Sequence, residues 1–184
     1  MIDTAIKFIN SQLRDYLSQL GNTEDVTIGN LTTLQNENNN SIVISLINIE
    51  EESTLRNQKN YKKINHQLIR KSPPIFLNLF VMVAFSLEDY ENSLLRMSQT
   101  IQFFQKNKRF TSSDYPVLLN NDIKELIFKL FTVDLEQLND LWGILGGNYF
   151  PSVIYKVRLV EIEAKEPEGM EIPITDIKVD TSVN

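Results

Sequence analysis

The run Ile75-Phe76-Leu77-Asn78-Leu79-Phe80-Val81-Met82-Val83-Ala84-Phe85 decides how this chain folds. It is eleven residues long and interrupted by Asn78, whereas about twenty apolar residues are needed to cross a bilayer, so it belongs in a protein core. Pro73-Pro74 precede it, and each proline fixes φ and removes an N–H donor, which forces an extended approach. The run therefore reads as a buried strand ending near Ser86. A second such segment lies upstream. Ser41-Ile42-Val43-Ile44-Ser45-Leu46-Ile47-Asn48-Ile49-Glu50 is β-branched and apolar on both faces at its centre, the pattern of an interior strand.

Between the two strands the charge is one-sided. From Ser53 to Leu87 there is no acidic residue, while Arg56, Lys59, Lys62, Lys63, Arg70 and Lys71 crowd the first half. Residues 54–72 show no clear apolar period and read as a long loop or an exposed hairpin.

Helices flank this pair of strands. Ile2, Ile6, Ile9, Leu13, Tyr16 and Leu20 recur every three or four residues, with Gly21 placed to end the helix. Tyr90, Leu94, Met97, Ile101 and Phe104 make a second stripe, after Glu88-Asp89 and running to about Asn107. Leu135, Leu138, Leu141, Trp142 and Leu145 make a third, opened by an Asp134/Gln137 capping box and closed by Gly146-Gly147. Val26 and Ile28 suggest a short strand, and residues 125–133 a longer one. In the last strand Val153, Tyr155, Val157 and Leu159 face one side, with Ile154, Lys156, Arg158 and Val160 on the other. Residues 106–115 read as a polar loop, followed by the short apolar piece Val117-Leu118-Leu119.

Several connections are too short for parallel crossovers. The fold class is therefore α+β: a mixed, largely antiparallel sheet with about three helices packed on one face. The main domain spans residues 1–164, and 165–184 form an acidic arm in which Ile172, Ile174, Ile177 and Val179 retain a β-pattern.

Composition narrows the chemistry. The 184 residues carry 18 basic and 24 acidic side chains, a formal charge of -6, with 42% apolar content, as in a globular domain. Cysteine is absent, which excludes disulfides, thiolate nucleophiles and cysteine-ligated metals, and the single histidine, His66, excludes a two-histidine metal site within one chain. No P-loop, dinucleotide fingerprint or nucleophile elbow occurs. The carboxylate clusters Glu50-Glu51-Glu52 and Glu88-Asp89 sit at element ends, where acids are ordinary. No enzyme activity, cofactor, metal or small-molecule substrate is expected. The N-terminus lacks the positive charge and apolar run of a signal peptide, so synthesis in the cytosol is expected, with no membrane association.

Two uses of the basic segment stand open. Six cations across 56–71, with Tyr61 able to stack, suit phosphate contacts. The net negative charge and the acidic arm favour protein docking instead, with Arg56, Lys59, Lys62, Lys63, Arg70 and Lys71 on one side and Glu171, Ile172, Ile174 and Ile177 on the other.

A series of phrases adds a resemblance. Pro73-Pro74-Ile75-Phe76-Leu77-Asn78-Leu79-Phe80, Asp89-Tyr90 with Leu94-Leu95, and Ile101-Gln102-Phe103-Phe104-Gln105 come first. Leu141-Trp142-Gly143-Ile144-Leu145-Gly146-Gly147 and Tyr149-Phe150-Pro151-Ser152-Val153-Ile154-Tyr155-Lys156-Val157-Arg158 follow. Their order and spacing over residues 1–163 resemble the cap, or tail-terminator, proteins of phage-tail-like contractile injection systems. The resemblance implies a structural part and no catalysis. It would be a homo-hexameric ring that ends the inner tube, contacts the tube protein and engages the last ring of the sheath protein. Assembly in the bacterial cytoplasm, on a particle later released or anchored, is expected with it. Nucleic-acid binding through the 54–72 segment is the alternative.

Overall fold

The computed structural model describes residues 1–32, 40–52, 61–64, 67–70, 76–161 and 169–171. Helix α1 (Ile2–Gln19) opens the chain, and strands β1 (Asp25–Ile28) and β2 (Ser41–Glu51) follow. The hairpin of β3 (Tyr61–Ile64) and β4 (Gln67–Arg70) leads to β5 (Phe76–Ser86). Next come α2 (Tyr90–Lys106), β6 (Arg109–Thr111), the one-turn α3 (Pro116–Leu119) and β7 (Ile123–Phe131). Helix α4 (Leu135–Ile144), β8 (Ser152–Glu161) and β9 (Gly169–Glu171) complete the described elements.

Six strands form one sheet in the order β1-β2-β5-β8-β7-β6, in which only the β1–β2 pair is parallel. The class is α+β, as the strand lengths and short connections imply. The β5 segment pairs on both edges, with β2 and with β8. Its side chains alternate between two cores. Leu79, Val81, Val83 and Phe85 join a cluster with α1 and α2, while Met82 and Ala84 join Val43, Ile154 and Trp142 on the opposite side. Each large apolar side chain so removed from water contributes about 1.5–3 kcal/mol, which is why this strand tolerates no polar period.

The helices do not share a face, contrary to the sequence expectation. Helices α1 and α2 cover one side, whereas α4 packs through Leu138, Leu141, Trp142 and Leu145 on the other. A strand buried on both sides needs that second layer.

The α2 surface also departs from its stripe. Its buried face carries Ser93, Arg96, Thr100, Phe103 and Phe104, while Tyr90 is 60% exposed and Leu94 and Leu95 also face solvent. Polar residues hold the inner face because most of their polar atoms find partners there, Arg96 Nε being the exception. Thr100 Oγ1 donates to the Arg96 carbonyl at 2.9 Å, Ser93 Oγ to the Asp89 carbonyl at 3.3 Å, and Arg96 finds an ion pair. Leu135 departs likewise from the α4 stripe, at 85% exposed, and Leu20, at the end of the α1 stripe, is exposed while Leu17 is buried.

The helix ends follow the sequence. Asn22 N–H donates to the Leu17 carbonyl at 3.0 Å and Gly21 N–H to Ser18 at 3.1 Å, a Schellman closure with Gly21 at φ +78°. Gly147 N–H reaches the Trp142 carbonyl at 2.7 Å, with Gly146 at φ +108°, and ends α4 in the same way. At the start of α4, Gln137 N–H donates to Asp134 Oδ1 at 2.8 Å and Asp134 N–H to Gln137 Oε1 at 3.2 Å.

Within residues 106–115, read as a polar loop, Arg109–Thr111 pair with β7 because Phe110 anchors them. The Phe110 ring makes an edge contact with Phe8 at 5.3 Å and another with Phe128 at 5.5 Å. Phe104 stacks on Phe128 at 4.6 Å and lies 4.7 Å from Tyr155, which ties α2 to β7 and β8.

Candidate interaction surfaces

The two segments singled out for partner contact meet in the backbone. Strands β3, β4 and β9 form a separate three-stranded sheet. Lys62 lies opposite Ile69, Lys63 opposite Leu68, and Tyr61 opposite Arg70. On the other edge of β4, Leu68 pairs with Glu171 and Arg70 with Gly169. Lys63 and Glu171 are therefore one strand apart in a single transverse row. The start of the acidic arm thus pairs with the basic hairpin of its own chain. Arg56, Lys59, Lys71, Ile172, Ile174 and Ile177 lie outside the described residues, as does His66.

A third surface was not anticipated. On the α4 side of the sheet, Lys129 of β7 stands directly opposite Lys156 of β8. Arg158, two residues further along β8 and hence on the same side, pairs in register with Asn78 and Ile127. The Lys156 ammonium lies 5.7 Å over the Phe80 ring, which fixes its position, and Phe80 makes an edge contact with the half-exposed Phe131 at 4.9 Å. Arg109 is engaged by Glu125 in an ion pair, and the Asn78 amide donates to Glu52 Oε2 at 3.1 Å. Among the described residues no acid pairs with Lys129, Lys156 or Arg158, and Arg158 Nε is buried without an acceptor. The strand period of residues 152–160 shows two of these cations on one side. The third needs the β7–β8 register, which no local pattern gives.

Beside this row, α4 presents an acidic outer face. Glu136 and Asp140 are exposed one turn apart, flanked by Leu135 at 85% and Ile144 at 81% exposure, and the helix carries no basic residue. Its inner edge borders a groove of about 290 Å³ lined by Leu138, Trp142, Gly147 and Tyr149, and the buried Trp142 Nε1 has no acceptor among the described residues.

The remaining buried charge is structural. Arg96 lies 3.5 Å from Glu24, which also accepts from the Asn92 amide at 2.6 Å. Burial pushes the Glu24 carboxyl upward, but its own backbone N–H, Asn92 and Arg96 together outweigh that and hold it below the usual glutamate range. Tyr155, buried in the aromatic cluster, has its phenol pushed up to about 12. Among the described residues no three or more His, Cys, Asp or Glu gather as metal ligands, and no helix is long and apolar enough to cross a membrane.

A family model, the Pvc16 N-terminal domain, matches residues 4–176. The chain belongs to that family. The match takes in the six-stranded sheet and runs into the arm as far as the β9 strand and beyond it. Among solved structures, this Pvc16 N-terminal domain is similar to a sheath/tube terminator of an extracellular contractile injection system, PVC, in its extended state. That likeness has a TM-score of 0.67 and 17% identity, over 100% of this chain and 64% of the other. It is similar also to the tube-terminating cap of the anti-feeding prophage, with a TM-score of 0.62 and 16% identity, over 93% of this chain and 58% of the other. The chain thus spans less than two thirds of either structure. At these identities the likeness is one of fold. No curated protein matches by sequence.

Proposed function

We propose that this Pvc16 N-terminal domain is a structural cap of a contractile injection system. In this reading it is a subunit of a six-fold ring that ends the inner tube and engages the last sheath ring. The observation that carries the reading is the fold, which matches a sheath/tube terminator over the whole of this chain within a family that spans residues 4–176. Unneutralised cations on one surface and an acidic helix on another supply the unlike faces that a head-to-tail ring requires. Termination is then geometric: one face of the ring matches the tube, and the other offers no further tube-binding surface. Assembly takes place in the bacterial cytoplasm, and the 165–184 arm contacts the sheath by adding a strand to it.

The test is native mass spectrometry of the purified chain, alone and with tube protein, together with a sheath pull-down. A six-subunit species and sheath capture that falls on deletion of residues 166–184 are expected. A monomer that ignores both proteins contradicts the proposal. Duplex DNA binding that weakens steeply with salt would favour the nucleic-acid reading instead.

A further inference from the structure

We infer that the Lys129–Lys156–Arg158 row is the seat for the acidic face of α4 from a second copy of this chain. The inference rests on the ring reading above and names the surfaces that form the ring.

The row is costly as it stands. Like charges directly opposite in an antiparallel pair destabilise a sheet, and Lys129 faces Lys156 with no acid between them among the described residues. Glu125, on the same strand as Lys129, does not relieve it, because Arg109 holds that carboxylate in an ion pair. Such a surface is built to receive negative charge from outside.

The chain itself supplies a match. Glu136 and Asp140 are one helical turn apart, about 5–6 Å between Cβ atoms. The cations are spaced alike, at about 5 Å for the cross-strand pair and about 7 Å for two residues along β8. Half-exposed Phe131 offers an apolar seat beside the row for Leu135 or Ile144, the two most exposed large apolar side chains among the described residues. Within one copy α4 already spends its inner face on Met82, Ala84 and Ile154, so its outer face is turned from its own sheet. The contact must therefore run between copies. It joins two different surfaces, which makes it heterologous, and such contacts close into rings when the rotation permits.

The chain contains no cysteine, so cross-linking can be read without background. An Asp140→Cys chain and a Lys129→Cys chain are mixed, with and without tube protein, and treated with a short bis-maleimide. In parallel, Glu136→Lys/Asp140→Lys and Lys129→Glu/Lys156→Glu are compared with the fourfold variant by native mass, with circular dichroism to establish folding. Expected are cross-linked dimers only in the mixture, loss of the ring in each double variant, and its return in the fourfold one. Rings that form without this cross-link, or that survive both double variants, overturn the inference and leave the cap reading standing. A chain that stays monomeric alone and with tube protein overturns both.

Discussion

The Arg96 guanidinium and the Glu24 carboxylate lie 3.5 Å apart with both side chains less than a tenth exposed, at 9% and 8%. The pair joins α2 to the turn between α1 and β1, where Arg96 also lies 3.5 Å from the Gly21 carbonyl. Removing one partner strands the other charge in a dry site, a loss of about 3–5 kcal/mol. Arg96→Ala is therefore expected to lower the unfolding free energy by that amount in urea titration, and Glu24→Gln by less, since glutamine still accepts from Asn92.

The same carboxylate sets part of the acid limit. Its pKa in the folded state lies below the usual glutamate value, so its contribution is present above that value and is lost as pH falls through the folded one. The stability of Glu24→Gln should decline less steeply than that of the parent below about pH 4.3. Equal slopes in acid denaturation would contradict this.

At the alkaline end Tyr155 acts in the opposite direction. Burial raises its phenol to about 12, against an ordinary value of 10.0, so neutral Tyr155 stabilises the fold up to about pH 10 and that contribution fades as pH rises towards 12. Of the six tyrosines, Tyr155 is expected to ionise late in an ultraviolet titration of the folded chain. Tyr155→Phe should remove that late step and flatten the alkaline decline in stability.

Trp142 is the one tryptophan, 4% exposed, and its indole N–H has no acceptor among the described residues. An unmet buried donor costs about 1–3 kcal/mol. Trp142→Phe should therefore stay within about 1.5 kcal/mol of the parent, since deleting the donor offsets the lost area. Trp142→Ala should lose about 3–5 kcal/mol. Chemical denaturation followed by circular dichroism separates the two.

Lys129 offers a trade between stability and assembly. Lys129→Glu sets an acid opposite Lys156 and should stabilise the isolated chain by about 0.2–1 kcal/mol. The same change should weaken self-association. A variant that is both less stable and better assembled would contradict the account of this row.

The elements were largely legible because their signals are local. The capping box at Asp134, the glycine stops and the two-sided apolar runs each specify their own backbone. What escaped depended on distant partners. Arg96 can sit on the inner face of α2 because Glu24, 72 residues away, pairs with it, and no helical period reveals that. The second layer under α4 follows from β5 being buried on both sides, a consequence that the 75–85 run carries but the one-faced sheet ignored. The arm and the basic segment were singled out as a charged pair for partners, whereas the described part of the arm joins the basic hairpin of its own chain through the β4–β9 register, which no local pattern gives.

Tube growth tests the central claim most directly. Tube protein polymerised with a slight excess of gold-labelled chain, then viewed by electron microscopy, should give shorter tubes that carry a labelled six-fold ring at one end. Tubes of unchanged length with no label at their ends would contradict the account.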